Sequence, residues 1–171
     1  SPIYSHRWEQ EIREHGHYPT NPGHNNLKYL QDINFDKPYD PTAFLNAFWP
    51  WFKDIFNNLM LLKITGGEPL LSEETFRIME MLKSQANKKL RLSINTNASV
   101  PAATWSRFID LLAQLKAKDA LYKFYLHPSL DSYGEQAEYI RHGLNFRIFQ
   151  KNIEEYLDKT GYDLIFTCTL N

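Results

Sequence analysis

The stretch Met60-Leu61-Leu62-Lys63-Ile64-Thr65-Gly66-Gly67-Glu68-Pro69-Leu70-Leu71 joins an apolar run to a glycine-rich turn. The run over 60–64 is short and bounded by turn residues, which indicates a buried strand. The two glycines can adopt positive φ values and let a ligand approach the backbone without a Cβ in the way. Glu68 then offers a carboxylate that can accept hydrogen bonds from an ammonium group, and Pro69 fixes the exit of the chain. We therefore predict a buried strand that runs into a ligand-binding turn.

Helices and strands alternate along the chain around this stretch. Helices are predicted at 41–58, 72–85, 101–116 and 145–159, and strands at 60–64, 90–95, 121–130 and 163–170. Strands that alternate with helices favour right-handed crossovers and a parallel sheet. The predicted fold class is therefore α/β. Four strands without closure indicate an unfinished sheet or part of a barrel, with an edge strand and an apolar sheet face left uncovered.

Local signals mark the ends and faces of these helices. Pro50 lies inside the first helix and predicts a kink or a break, and the flanking Trp49 and Trp51 are interpreted as packing residues. Ser72 is a suitable N-cap for the second helix, and Gly161 is suited to end the last one. The inward face of that last helix is predicted to carry Phe146, Phe149, Ile153 and Leu157.

Residues 1–40 differ from the rest of the chain, since they are polar, rich in proline and hold four of the six histidines. We predict an irregular N-terminal segment with a short helix near 5–14, followed by a single domain over 41–171. His15, His17 and His24 bring imidazoles near one another in the sequence. Their spacing matches no structural zinc pattern, so we assign no metal ligand.

The composition argues against several classes of protein. The chain has 171 residues, 43% of them hydrophobic, and a net charge of −1, which does not suit a binder of nucleic-acid backbones. Its apolar runs are too short to span a membrane, and no signal peptide opens the chain. Cys168 is the single cysteine, so no internal disulfide can form and a cytoplasmic location is expected. We interpret Cys168 as a small core residue.

The segments that follow the four predicted strands share small or hydrogen-bonding residues. In parallel α/β folds, ligands bind beyond the carboxyl ends of the strands. Each segment alone is ordinary turn sequence, but the four together at one edge predict a binding site. His127, near the end of the third strand, is assigned a structural role in preference to that of a proton donor. The four segments are Thr65-Gly66-Gly67-Glu68-Pro69, Asn95-Thr96-Asn97, Ser129-Leu130-Asp131-Ser132 and Thr169-Leu170-Asn171.

Gly66-Gly67-Glu68-Pro69 resembles the Gly-Gly-Glu-Pro motif of radical S-adenosylmethionine enzymes, which binds the amino group of the methionine moiety after the second barrel strand. Further segments are similar to those of the family in the same order, and the likeness covers residues 41–171. They are Ser93-Ile94-Asn95-Thr96-Asn97-Ala98, with Ala98 where the family often has glycine, then Pro128-Ser129-Leu130-Asp131-Ser132, and Glu138-Tyr139-Ile140-Arg141-His142-Gly143 with Asn145-Phe146.

The resemblance implies a partial (β/α) barrel of the TIM type, as in the radical S-adenosylmethionine core, with a set of cofactor contacts. It implies that Glu68 binds the ammonium group, that Ser129 and Arg141 reach the methionine carboxylate, and that Asn171 approaches the ribose. No catalytic residue and no metal ligand are assigned. The implied cofactor-binding residues are Gly66, Gly67, Glu68, Pro69, Asn97, Ser129, Asp131, Arg141 and Asn171.

The implied activity is reductive cleavage of S-adenosylmethionine by a [4Fe–4S] cluster, followed by hydrogen abstraction from a substrate. In the similar subgroup with a small "twitch" or SPASM-like domain, that substrate is mostly a peptide or protein. The family's three cluster cysteines, spaced Cys-x3-Cys-x2-Cys, have no counterpart here, and one cysteine cannot hold the cluster. We interpret the chain as an inactive piece of a longer enzyme. The alternatives are a cluster-free module that binds a nucleotide or peptide, and a structural fragment without a ligand.

Overall fold

A computed structural model describes residues 41–141 and 143–169 of the chain. The chain divides into two compact units, residues 1–52 and 53–171. Some of the sequence predictions lie outside the described residues. They are the helix near 5–14, the histidines His15, His17 and His24, and the ribose contact assigned to Asn171.

The described residues form five α-helices and four β-strands, in the order that the sequence predicted except for one additional short helix. Two 3-10 turns, Phe56–Asn58 and Pro69–Leu71, flank the first strand. The helices are α1 (Thr42–Ile55), α2 (Glu73–Ser84), α3 (Ala102–Ala117), α4 (Gly134–Ile140) and α5 (Phe146–Thr160), and the strands are β1 (Leu61–Ile64), β2 (Asn87–Thr96), β3 (Leu121–Pro128) and β4 (Asp163–Leu164).

The four strands form one sheet with the order β1-β2-β3-β4, and every pairing is parallel. Each crossover leads to the neighbouring strand, so the sheet winds in a single direction. Right-handed crossovers of this kind place their helices on the same face of the sheet. The α/β class with a parallel sheet, predicted from the alternation of elements, is therefore confirmed.

The hydrophobic core of the second unit lies between the sheet and a layer of helices. Helix α3 packs against both α2 and α5. The ring of Phe124 on β3 lies 6.2 Å from the ring of Phe108 on α3 and 6.5 Å from that of Tyr156 on α5. These contacts bring α3 and α5 to the same face of β3. Alternate side chains of β2, Leu90, Leu92 and Ile94, are fully buried.

The sequence predicted that the first strand is buried, but in the structure its side chains are exposed or half-buried. Within the described residues β1 pairs only with β2, and Leu61 is 64% exposed. The prediction was wrong because a short apolar run does not reveal whether its strand is central or outer. That position depends on which strands pair with it in space.

The last strand is shorter than the predicted 163–170. Regular pairing covers Asp163–Leu164, and one isolated bridge joins Ser129 to Thr167. Cys168 follows this bridge and is exposed with a free thiol, so its assignment to the core was wrong. The physical reason is again an outer position, because no strand in the described part of the chain pairs with the far side of β4.

The helix signals were accurate at some positions and inaccurate at others. Helix α1 continues through Pro50, so no break occurs there. The flanking tryptophans differ, since Trp49 is buried and Trp51 is 55% exposed. Ser72 holds the N-cap position of α2, but its side chain makes no capping hydrogen bond. Helix α4 was missed because, with Ala137 as its one buried residue, it lacks an apolar stripe.

Helix α5 buries a face slightly different from the predicted one. Phe149 and Ile153 are buried as expected, whereas Leu157 is 49% exposed. Tyr156 is fully buried instead, and its hydroxyl donates a hydrogen bond to the carbonyl oxygen of Asp163 at 2.9 Å. A sequence pattern that counts only aliphatic and phenylalanine side chains overlooks this buried phenol. Gly161 ends the helix with a left-handed φ of 58°, as predicted.

Asn87 fixes the entry of β1 against the start of β2. Its Nδ2 donates to the carbonyl oxygens of Phe56 at 2.6 Å and Leu59 at 2.9 Å. Its Oδ1 accepts a hydrogen bond from the Lys89 amide at 3.1 Å. Only 5% of Asn87 is exposed, so these bonds are shielded from water.

We expect Asn87→Ala to lower the free energy of unfolding by about 1–3 kcal/mol, because two shielded hydrogen bonds to main-chain carbonyl oxygens are lost and Leu59 loses the Asn87 donor. The control is Gln85→Ala, which removes an exposed hydrogen bond to Asn57 and should cost less than about 1 kcal/mol. Urea denaturation of both variants measures the difference. Equal losses would contradict the assigned role of Asn87.

Candidate functional site

The four strands end at one edge of the sheet, which we call the carboxyl edge and which comprises residues 65–69, 95–98, 129–132 and 165–169. Neighbouring segments of this edge are joined by backbone hydrogen bonds. The Ser129 amide donates to the Thr96 carbonyl oxygen at 2.9 Å, and the Leu130 amide donates to that of Thr167 at 3.0 Å. The segments predicted from the strand ends are therefore neighbours in space.

The carboxylate of Glu68 connects the segment after β1 to the segment after β2. Its Oε1 accepts hydrogen bonds from the Thr96 hydroxyl at 2.8 Å and the Leu70 amide at 3.1 Å. Its Oε2 accepts a hydrogen bond from the Asn97 amide at 2.7 Å. Hydrogen bonds to an ionised acceptor are stronger than those between neutral groups, so three of them hold the carboxylate in place. We call Glu68 with Thr96 and Asn97 the Glu68 clamp.

The turn before Glu68 leaves open space beside the clamp. Gly66 has a φ of 137°, a value that strongly favours glycine. A Cβ placed on Gly66 or Gly67 would meet no atom within 4 Å. The packing of the described chain therefore does not require a glycine at position 67, whereas the close approach of a ligand would require one. Pro69 is buried and starts the 3-10 turn that Glu68 caps.

The turn after β2 is held by several hydrogen bonds. The Thr96 hydroxyl oxygen accepts one from the Ala98 amide at 3.0 Å, and Asn97 Oδ1 accepts one from the Ser99 amide at 2.9 Å. Asn152 of α5 donates its Nδ2 hydrogen to the Ala98 carbonyl oxygen at 2.9 Å. Ala98 has a φ of 51°, a left-handed conformation that strains a non-glycine residue. Several hydrogen bonds, one of them from helix α5, therefore hold the turn that carries the clamp in this strained conformation.

Asp131 makes a second carboxylate link, between the ends of β3 and β4. Its Oδ1 accepts a hydrogen bond from the Thr169 amide at 2.7 Å, and its Oδ2 forms an ion pair with Arg141 Nε at 2.6 Å. The Thr169 hydrogen bond, followed by the interactions with Arg141, lowers the pKa of the Asp131 carboxyl from its ordinary value. Arg141 lies just after α4 at its C-cap position.

The predicted cofactor residues thus fall into two groups at the carboxyl edge. Asp131 and Arg141, both assigned to the cofactor, engage each other. Ser129 contributes its backbone amide to the link between the two groups. The first group is Gly66, Gly67, Glu68, Pro69 and Asn97, and the second is Ser129, Asp131 and Arg141.

A set of polar side chains on the sheet face opposite the helices was missed by the sequence analysis; we call it the polar face. Lys63 is in register with Ser93, and Asn95 is in register with His127. The signal was present as a period-2 alternation, since these residues of β2 alternate with Leu92. The polar face comprises Lys63, Arg91, Ser93, Asn95, Lys123, Tyr125, His127 and Asp163.

The polar face has two unusual groups next to each other. Asn95 Oδ1 is buried and accepts no hydrogen bond from the described residues. Burial, and to a smaller extent the charge of Lys63, lowers the pKa of His127 from its ordinary value. This shift favours the neutral form of His127, in which the imidazole can donate one hydrogen bond and accept another.

No family model, curated protein or solved structure matches the chain. Among residues 41–141 and 143–169, no group of three His, Cys, Asp or Glu side chains is arranged to hold a metal ion. The described helices also include none with the length and apolarity needed to cross a membrane.

The clamp predicts a specific loss of stability. Thr96→Val preserves the shape of the side chain but removes the donor to Glu68 and the acceptor for Ala98, so we expect a loss of about 1–3 kcal/mol in unfolding free energy. Ser99→Ala is the matched control, because the Ser99 hydroxyl is buried without a hydrogen-bond partner in the described structure. Chemical denaturation should leave that control close to wild type. A Thr96→Val variant of wild-type stability would contradict the clamp.

The Asp131 link predicts a dependence of stability on pH. Because the folded-state pKa is lower than the ordinary 3.8, the stabilisation is present above the unfolded-state pKa and is lost as pH falls through the folded-state pKa. We expect Asp131→Asn to flatten the decline in unfolding free energy between about pH 5 and about pH 2. Asp110→Asn, on the exposed side of α3, should retain the wild-type decline. Identical pH profiles for wild type and Asp131→Asn would refute the link.

Proposed function

We propose that the chain is part of a radical S-adenosylmethionine enzyme and that its carboxyl edge binds S-adenosylmethionine for reductive cleavage and hydrogen abstraction. The observation that carries the proposal is the Glu68 clamp. It joins the Gly-Gly-Glu-Pro turn after β1 to Thr96 and Asn97 at the end of β2, in the order that the resemblance requires. A parallel sheet that winds in one direction is also what four consecutive strands of a (β/α) barrel would form.

The residues of the clamp are suited to an ammonium group. Each carboxylate oxygen can accept about two hydrogen bonds. Oε1 of Glu68 already accepts two and Oε2 accepts one, so one acceptor position remains on Oε2. The open space beside Gly66 and Gly67 adjoins this carboxylate in the chain. The clamp would therefore orient the amino group of the methionine moiety without giving up its internal hydrogen bonds.

The second group suits the methionine carboxylate through Arg141. Asp131 binds the guanidinium through Nε, and the guanidinium carries further N–H donors on its two Nη atoms. Asp131 would therefore act by holding Arg141 in position, and Ser129 would add its hydroxyl at the same edge. In this arrangement the assignment of Asp131 changes from a cofactor contact to a positioning residue.

A [4Fe–4S] cluster, when bound, would supply the electron that cleaves S-adenosylmethionine in this family. Its cysteine ligands would lie outside this chain, which has one cysteine. The residues described here would bind and orient the cofactor, and the substrate would be a peptide or protein by the subgroup likeness. The single cysteine also favours the second candidate, a cluster-free module that binds a nucleotide or peptide at the same edge.

Calorimetric titration of the chain with S-adenosylmethionine tests the proposal. We expect Gly67→Ala to weaken binding at least tenfold, because the added methyl group would occupy the space of the ligand. The same variant should keep the wild-type melting temperature, since its Cβ would meet no protein atom within 4 Å. Lys89→Ala, an exposed substitution near the opposite end of β2, is the control and should bind normally. Absence of binding to wild type, or unchanged binding by Gly67→Ala, would contradict the proposed site.

A further inference from the structure

The polar face carries an excess of positive charge that the described residues do not balance. Lys63, Arg91 and Lys123 lie on three adjacent strands, and Arg91 is directly in register with Lys123. Lys123 forms an ion pair with Asp163 at 2.8 Å. Neither Lys63 nor Arg91 forms an ion pair within the described part of the chain. Arg91 lies over the ring of Tyr122, 5.4 Å from its centroid, which leaves its charge without an anionic partner among the described residues. Cations gathered on neighbouring strands attract an anionic ligand to this face.

Neutral hydrogen-bonding groups lie between these cations and the carboxyl edge. Ser93 is only 6% exposed and is in register with Lys63 on one side and Tyr125 on the other. Asn95 follows two residues later, in register with His127. The buried Oδ1 of Asn95 is an acceptor that lacks a donor. A buried acceptor left unpaired costs free energy, which a ligand hydroxyl or amine would recover.

The register places these groups next to the Glu68 clamp. Asn95 immediately precedes Thr96, the last residue of β2, whose hydroxyl donates to Glu68, and the Asn97 amide of the clamp follows directly. A ligand that lies on the polar face would therefore reach the edge proposed for S-adenosylmethionine. This is the position in which a substrate would meet the cofactor.

We propose that the polar face binds the substrate and that the part of the substrate held there is anionic, carrying a carboxylate or phosphate group together with a hydroxyl or amine. Lys63 and Arg91 bind the anionic group, and Asn95 accepts the hydrogen bond of the hydroxyl or amine. His127 contributes its imidazole beside Asn95, with which it is in register. This inference rests on the proposed function only in treating the bound anion as the substrate of the S-adenosylmethionine-dependent reaction.

The test is calorimetric titration of the full chain at low ionic strength with four simple anions. Inorganic phosphate and malate each carry both an anionic group and a hydroxyl. Whichever of them binds more tightly identifies the anionic group of the substrate as a phosphate or a carboxylate. Sulfate and succinate are their counterparts without a hydroxyl donor. We expect phosphate or malate to bind at least tenfold more tightly than its counterpart. Failure of both phosphate and malate to bind would overturn the proposal. If sulfate and succinate bound as tightly as phosphate and malate, the hydrogen bond assigned to Asn95 would be refuted.

Two double variants distinguish anion binding at the polar face from attraction to the general surface charge. Lys63→Ala/Arg91→Ala should weaken anion binding at least tenfold. The matched control is Arg147→Ala/Lys151→Ala, which removes the same two charges from exposed positions on α5 and should bind as wild type does. An equal loss in the control would overturn the site. The titrations contain no S-adenosylmethionine. If no anion binds, the polar-face proposal fails, whereas the proposed function is still tested separately by the affinity for S-adenosylmethionine.

Discussion

The ends of β1 and β2 at the carboxyl edge depend on one interaction, the hydrogen bonding of the Glu68 carboxylate to Thr96 and Asn97. Glu68 is 28 residues from Thr96 in the chain, and the strand pairing between them ends at Ile64 and Ile94. Beyond that pair, the turns that follow β1 and β2 are held together by the hydrogen bonds of the Glu68 carboxylate. Because an ionised acceptor strengthens each bond, this link can fix an otherwise open glycine turn. A ligand at this edge would therefore meet an acceptor whose position is already set.

The single direction of winding explains why this edge adjoins a polar surface. Helices α3 and α5 pack their aromatic side chains against Phe124 of the sheet, and Leu92 on the same face is fully buried. The opposite face is then free to carry charged and polar side chains, although both faces of a parallel sheet are commonly apolar. The polar face and the Glu68 clamp meet near Asn95 and Asn97. One topological feature thus supports the proposed positions of both cofactor and substrate.

The sequence predicted the features that depend on local patterns and missed those that depend on neighbours in space. Helix α3 was predicted well because Trp105, Phe108, Leu112 and Leu115 form one stripe, and all four are buried. The outer position of β1 among the described strands and the exposure of Cys168 were missed, since no local pattern identifies the edge of a sheet. The clamp was only half predicted: the sequence indicated a ligand-binding carboxylate at Glu68, but not its internal hydrogen bonds. Those bonds need a register between β1 and β2 that the sequence does not specify.

Amide NMR of the isotope-labelled chain during titration with S-adenosylmethionine tests the central claim most directly. If the Glu68 clamp holds the cofactor, the amide signals of Gly66, Gly67 and Asn97 will shift and saturate together. Signals of Lys118 and Asp119, at the amino end of β3, will stay in place. An unchanged spectrum, or shifts concentrated at that opposite end of the sheet, would contradict the account.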